Sequence, residues 1–259
     1  MNLKKIIALP ALCFCVSASA TEIETEDNKG VNFNVAGDIV SSYVWRGQYQ
    51  TGSSFQPTLG INVSGFSLTA WGSVDFTGKG AKEVDLTASY SIAGVTIGIT
   101  DYWWKGEGAL NYFHYKSHKT DHIFEAGISY ALPIEKFPLS LSWYTMFAGA
   151  DKKGTVLSGY DDNEEPVYEM NKRGKQAYST YVELNYPFAI KKVGLNAIVG
   201  FTPWDAPMYG TREFSVTNVS LKASKEIIIT DKFSLPVYTQ IIWNPNKEDI
   251  HLVLGITLR

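Results

Sequence analysis

The residues of this chain that could act on a solute are charged or large aromatic side chains standing among small polar neighbours. Asp38, Asp75, Glu83, Asp85, Glu125 and Glu183 are acidic, Arg46 and Lys222 are basic, and Trp71 is a large ring. Each occupies the polar phase of a stretch in which apolar and polar residues alternate. Acidic side chains around a constriction select ions by sign and favour cations. An arginine beside carboxylates can instead brace a wall through a bidentate pair. Strand directions counted from the termini place Asp75, Glu83, Asp85 and Glu125 near one mouth, with Arg46 at the top of the first strand. The expected brace is therefore Arg46 with Glu83, Asp85 or Asp75. Trp71 either offers a face to a ring-shaped solute or fills a narrow interior.

Covalent chemistry finds less support. Ser117 adjoins His118, but adjacency in sequence does not create a hydrogen-bonded nucleophile and base. No G-x-S-x-G is present, and His251 has no evident serine partner. His114, His118 and His122 are spaced by four and would share one face of a helix. The intervening Tyr115, Lys116, Ser117, Lys119 and Thr120 favour a solvated loop instead, so neither a metal site nor a cofactor is expected, and the chain is not read as an enzyme.

The elements that would position these groups are strands. From residue 31 onward a period of two recurs about a dozen times, the signature of half-buried strands. Val31, Phe33, Val35, Gly37, Ile39, Ser41, Tyr43 and Trp45 form one face of the first stretch, opposed by Asn32, Asn34, Asp38, Ser42 and Arg46. Ser64-Gly65 and Ala93-Gly94 mark tight hairpins. Seven further strands are expected near 122–132, 139–147, 177–186, 193–202, 215–225, 234–243 and 249–258. The stretch at 215–225 slips phase near Val216 and Val219. Short turns near 64, 94, 134, 189 and 230 alternate with connections at 46–54, 77–82, 102–121, 148–176, 203–213 and 244–248. That alternation, with an even strand count, is the pattern of a bacterial transmembrane barrel. The expected fold is thus all-β: a transmembrane antiparallel up-and-down β-barrel of about 12 strands over residues 31–259.

Composition agrees. The 259 residues are 45% hydrophobic, yet no window approaches the 18 apolar residues that a spanning helix needs. Lys4 and Lys5, the apolar run Ile6 to Val16 and Ala18-Ser19-Ala20 read as a signal peptide over 1–20, followed by a short polar leader over 21–30. The two cysteines, Cys13 and Cys15, lie within that signal, so the exported chain is cysteine-free. Cleavage removes two lysines and takes the formal charge from −3 to −5, which excludes nucleic acid as a partner. Trp45, Trp103, Trp104, Trp143, Trp204 and Trp243 fall at long-loop strand ends. Phe66, Tyr90, Tyr130, Phe137, Tyr186, Phe188 and Phe233 fall near short turns. Two such belts suit the two membrane interfaces. A soluble β-sandwich with its apolar face inward is the competing fold. The Ser, Thr, Asn and Gly of the opposite faces weigh against it. Pro57 lacks an amide proton and is expected at a frayed loop end.

Tyr43-Val44-Trp45-Arg46-Gly47 is followed by Gln56-Pro57, Gly65-Phe66, Ala70-Trp71-Gly72-Ser73, Glu83-Val84-Asp85 and Ala88-Ser89-Tyr90. This order resembles the TorF-like porin family, whose pattern runs Y-x-(F/W)-R-G, Q/P, G-F-Y-x-G-x-W-x-S and E-x-D-x-x-x-x-Y. The resemblance spans residues 36–104. Leu68 and Thr69 stand where that family has an aromatic residue and a glycine. The chain ends in Arg259 where many outer-membrane barrels end in an aromatic residue. The resemblance implies an outer-membrane barrel concerned with solute passage and supplies no substrate.

These readings converge on a Gram-negative outer-membrane porin or channel for passive diffusion of small hydrophilic solutes, leaning toward cations. Its expected partners are outer-membrane lipid, those solutes and, during biogenesis, the barrel-assembly machinery. About 12 strands falls between filled and open barrels, so a narrow pore, or one plugged by side chains or by loop 102–121, is expected. Two alternatives stay open: a lipid-acting barrel enzyme (hydrolase or acyltransferase), and a non-conducting structural or surface barrel. The loop at 148–176, with its acidic run Asp161-Asp162-Asn163-Glu164-Glu165, is expected to be a solvated surface loop.

Overall fold

A computed structural model describes residues 30–80, 82–105, 111–161, 163–231 and 233–259. The expected signal peptide and nearly all of the expected polar leader lie outside the described residues. Twelve antiparallel strands close into a barrel. In chain order the barrel strands are β1 (Asn32–Val40), β4 (Ser54–Val63), β5 (Phe66–Asp75), β6 (Lys82–Ile92), β7 (Val95–Lys105), β8 (Ile123–Ala131) and β9 (Ser140–Gly149), then β12 (Thr180–Ile190), β13 (Val193–Thr202), β14 (Ser215–Thr230), β15 (Phe233–Asn244) and β16 (Asp249–Leu258). Each pairs with its neighbour in sequence among these, and β16 returns to β1 through the short register Gly37↔Leu258 to Val40↔Gly255. Full closure leaves no unpaired sheet edge to aggregate or to desolvate in a membrane.

The pleat sends successive side chains to opposite faces, and here the apolar ones go outward. On β1, Phe33 is 77% exposed and Val35 68%, while Asp38 on the other face is buried. Leu252 and Leu254 of β16, Ile97 and Ile99 of β7, and Ile128 of β8 are likewise exposed. The inward positions are polar: Ser73, Glu83, Asp85, Thr100, Glu125, Ser129, Ser142, Ser220 and Thr257 are all buried. A soluble sandwich would show the reverse arrangement. This is a transmembrane up-and-down barrel, with greasy residues toward lipid and polar ones toward the lumen. Among the described residues no helix is long and apolar enough to cross a membrane.

Local irregularities have local causes. The register between β13 and β14 shifts where Phe201 pairs Val216 and Gly200 pairs Asn218, leaving Thr217 as the extra residue of a bulge. That bulge is the phase slip seen near Val216 and Val219 in the sequence. Ser64-Gly65 and Ala93-Gly94 each adopt positive φ at both positions, the backbone of tight hairpins whose twist matches the strands. Pro57 sits inside β4 and is paired with Gly37 in β1, while the β4–β5 ladder skips Gln56 and Pro57.

The exposed aromatic residues divide into a long-loop set and a short-turn set. Trp143, Trp204 and Trp243 are exposed at the long-loop end, and Phe66, Tyr90, Tyr130, Phe137 and Phe233 at the short-turn end. Three of the tryptophans expected in the outer belt are elsewhere. Trp45 lies within the lumen against Tyr102 and Tyr209, and Trp104 joins it there. Trp103 faces outward but is covered by the loop after β7, through Tyr112.

Candidate functional site

The first strand does not run to Trp45. β1 ends at Val40, and residues 43–51 form a separate two-stranded hairpin, β2 (Tyr43–Trp45) and β3 (Gln48–Thr51). The turn between them is Arg46-Gly47, both at positive φ. This hairpin folds into the barrel. Its tip is held by the interior of the opposite wall, and that contact network overrides the alternation that reads as one continuous strand.

The base of the hairpin is tied to the wall it leaves. Thr51 donates to Asp75 at 3.2 Å, and Asp75 also accepts from Thr77 and from the Gly80 amide. Tyr43 packs on Trp71 of β5, with ring centroids 5.4 Å apart. Trp71 therefore fills the interior beside the hairpin. Tyr43 and Asp85 are both hydrogen-bond partners of Glu83. Glu83 and Asp85 lie two apart on β6 and share its inner face, and Asp85 Oδ1 is buried without a hydrogen-bond partner. A small cavity of about 80 Å³ lies between Glu83 and the hairpin beside their contact, bounded by Tyr43, Trp45, Gln48, Gln50, Glu83, Trp104 and Met208.

The tip reaches across the lumen. Arg46 donates both terminal nitrogens to Glu125 of β8, at 2.6 and 2.9 Å. It also bonds the Tyr209 hydroxyl. Three aromatic rings surround the guanidinium: Tyr144 at 4.4 Å, Tyr181 at 4.6 Å and Trp45 at 4.7 Å. Tyr144 belongs to β9 and Tyr181 to β12, which lie opposite β1 in the barrel order. A desolvated guanidinium held by a carboxylate fork and several ring faces is among the stronger polar anchors a protein builds. The expected pairing of Arg46 with Glu83, Asp85 or Asp75 is thus corrected. Sequence proximity favoured those groups, but the hairpin carries Arg46 past them to Glu125.

A second loop completes the closure. After β13 the chain makes a short 3-10 turn, Pro207–Tyr209, ended by Gly210 in the left-handed region. It delivers Tyr209 between Trp45 and Tyr181, stacked on each at 5.5 and 5.6 Å. Gln48 donates to the Met208 carbonyl at 3.2 Å, joining the two loops. The hairpin tip is seated against β14 and β15. Asn244 donates to the Gly47 carbonyl at 3.0 Å, and a Cβ on Gly47 would lie 1.8 Å from the Thr217 carbonyl oxygen. Only glycine fits there, on both conformational and steric grounds. Nothing in the residue types of 203–213 announced that Tyr209 would enter the lumen.

Below this layer the interior is open and polar. Asn62, Ser67 and Thr69, Thr87 and Ser89, and Asn185 and Asn196 face inward and are half-exposed. Thr87 and Thr100 hydrogen-bond across the wall at 3.0 Å. Two further charged candidates stand on the wall near the closing strands. Asp38 accepts from Thr257 at 2.6 Å, and the Lys222 ammonium sits 3.8 Å from the Tyr238 ring centre, near enough to Asp38 to interact with it. Glu183 accepts from the Tyr181 hydroxyl at 2.8 Å and so belongs to the Arg46 layer. Tyr181 in turn lies flat over Gly200, where a Cβ would meet its ring. A separate groove of about 730 Å³ lies on the lipid-facing side of β1, β16, β15 and β14, bordered by Ile39, Val237, Leu254 and Ile256.

The described part of the loop after β7 does not enter the barrel. Residues 111–121 lie on its outer wall, covering Asp101, Trp103 and His122. Tyr115 stacks on His122 at 4.0 Å and donates to Asp101 at 2.9 Å. His122 is fully buried, with Nδ1 at 2.7 Å from Asp101 and Nε2 against the Tyr112 carbonyl. His118 meets the Lys172 carbonyl instead. The three histidines therefore do not share a helical face, and among the described residues no group of three or more metal-ligating side chains is present. The loop at 148–176 carries a two-stranded arm, β10 (Thr155–Tyr160) paired with β11 (Pro166–Met170). The arm is exposed along almost its whole length.

The sequence matches no protein-family model, and no curated protein matches it. Among solved structures the chain is similar to the KdgM porin, at 8% identity and a TM-score of 0.40, over 89% of this chain and 99% of that one. The same porin in complex with disordered oligogalacturonate gives a TM-score of 0.42 at 8% identity. BamA from Haemophilus ducreyi lacking POTRA domains 1–3 is similar at 11% identity and a TM-score of 0.36, over 82% of this chain and 41% of that one.

Proposed function

We propose that this protein is a channel of a Gram-negative outer membrane that passes small hydrophilic solutes by diffusion, leaning toward cations. The hairpin at 43–51 is its outer gate. The observation that carries this reading is the polar, half-exposed inner wall of Ser, Thr and Asn, open below the hairpin and enclosed by an apolar exterior. Such a wall holds water and supplies no covalent chemistry. The lean toward cations rests on Glu83, Asp85 and Glu125 around the constriction, with Arg46 neutralising one of them and Asp75 at its base. Asp38 and Lys222 are opposite charges close together, so they add little net field to the wall. Trp71 narrows the passage beside the hairpin.

Single-channel recording of the refolded protein, with a reversal potential under a salt gradient, tests the proposal. Conductance steps with a cation-biased reversal are expected, and Asp85→Asn and Glu125→Gln should each reduce the bias. An absence of steps in inserted protein would remove the passage reading. Unchanged selectivity in both variants would remove the acidic lean.

The second reading, a non-conducting structural or surface barrel, draws on one observation. The hairpin is pinned at once to β5, β8 and β15, through Asp75, Glu125 and Asn244. It predicts silence even when those pins are cut. A lipid-acting enzyme would need a base on the outer wall. His122 and Asp101 are there, but His122 Nε2 is engaged by the Tyr112 carbonyl, which leaves it no nucleophile to activate.

A further inference from the structure

We infer that the outer rim above β7 to β9 is a docking surface for the phosphate groups of a membrane lipid. The inference rests on the membrane reading above but not on conduction. Its first component is a platform of aromatic residues facing lipid. Phe113 is 88% exposed on the loop 111–121, and Phe147, Trp143 and Trp204 continue the exposed belt beneath and beside it. Rings in this position mark the depth of the head groups.

The second component is charge on the same loop as Phe113 and on the segment bound to that loop. Lys116 and Lys119 are exposed on the same loop as Phe113, and Arg173 and Lys175 are exposed at the foot of the β10–β11 arm. The two segments are bound to each other, so their cations form one cluster. Lys172 donates to the Lys119 carbonyl at 3.3 Å and pairs with Asp121, and His118 meets the Lys172 carbonyl at 3.2 Å. Asp121 is thereby occupied, and the neighbouring Asp101 is covered by Tyr115 and His122.

The third component is the polarity of the arm. Its foot carries Lys172, Arg173 and Lys175 against Glu169, whereas its far end carries Asp161, Glu164 and Glu165. A negatively charged leaflet would attract the foot and repel the end, holding the arm away from the membrane. The opposite polarity would lay it down. Outward-facing Asp101 explains why the loop lies flat at all. A carboxylate at the lipid face must be capped, and Tyr115, His122 and, at 3.4 Å, Tyr112 cap it. The cap fixes the position of the lysines beside it.

Each cation close to an anionic surface contributes roughly a fivefold preference, so three give on the order of a hundredfold at low salt. Screening reduces this at physiological ionic strength. The test uses the full chain in nanodiscs of phosphatidylcholine containing a minor fraction of diphosphoryl lipid A, with retained lipid read by native mass spectrometry. Wild type should retain lipid A far above its bulk share, and K116Q/K119Q/R173Q should lower that enrichment at least tenfold. The triple variant keeps Lys172 and its pair with Asp121, so the loops stay joined. Inorganic phosphate at matching concentration should not displace the lipid. Equal enrichment in both proteins, or displacement by inorganic phosphate alone, would overturn the inference. Wild type that inserts normally but shows no enrichment overturns this inference only, whereas failure to insert in any vesicle overturns the membrane reading with it.

Discussion

Removing the guanidinium of Arg46 should release the hairpin. Arg46 and Glu125 side chains are 3% and 2% exposed, so both charges are desolvated in the closed arrangement. Breaking a buried pair by deleting one partner costs about 3–5 kcal/mol, because the other charge is left uncompensated. The three ring faces around Arg46 add to its hold, though not additively, since all act on one group. At about 1.4 kcal/mol per tenfold, Arg46→Ala should shift the balance between docked and released hairpin by roughly two to three and a half powers of ten. Glu125→Gln should act in the same direction, because it leaves a buried cation facing a neutral amide. Arg46→Lys keeps the charge but loses the fork, and should fall between wild type and Arg46→Ala. Planar-bilayer recording reads the fraction of time in the conducting state, with heat-modifiable electrophoretic migration confirming a folded barrel. If Arg46→Ala and Glu125→Gln insert as folded barrels yet match wild type in conductance and dwell times, the hairpin is not a gate and the reasoning from the Arg46 anchor fails.

Other outcomes follow from single positions. Gly47→Ala places a methyl group against the Thr217 carbonyl and should mimic Arg46→Ala in the same recording, since the tip can no longer seat on β14. Leu86 faces lipid midway along β6, so Leu86→Arg should lower the refolding stability in lipid by about 2–4 kcal/mol, read by urea titration, while Thr87→Arg on the lumen face should cost much less. Asp161 at the end of the arm accepts backbone amides from Glu165 and Asn163, which hold its carboxyl below the usual range. A lowered value stabilises the turn above the ordinary carboxylate range and loses that support as pH falls through the depressed value. Hydrogen exchange should therefore show the Asn163 and Glu165 amides protected at neutral pH and unprotected in acid, and Asp161→Ala should remove the protection at neutral pH.

Much of the barrel was legible because its signals are local. Alternation needs only neighbouring residues, and the paired glycine turns at Gly65 and Gly94 need only their own φ angles. Even the bulge at Thr217 appeared as a phase slip, since one extra residue inverts every later side chain. The inward direction of Asp38, Glu83, Asp85 and Glu125 follows from the same parity. Trp45, by contrast, continues the parity of the first strand although its chain has already turned inward. Parity cannot report a change in the path of the backbone.

The sequence alone therefore determined the strand count, the division of each strand into an apolar and a polar face and the identities of the charges on the polar face, because a period of two is written in consecutive residues. Only the tertiary structure decided what closes the lumen. Arg46 meets Glu125 across 79 positions of chain and Tyr209 across 163, and contacts so distant leave no periodic trace. They exist because barrel closure brings β8, β9 and β12 opposite β1, where a short hairpin can span the interior and bury its arginine among rings supplied by the far wall.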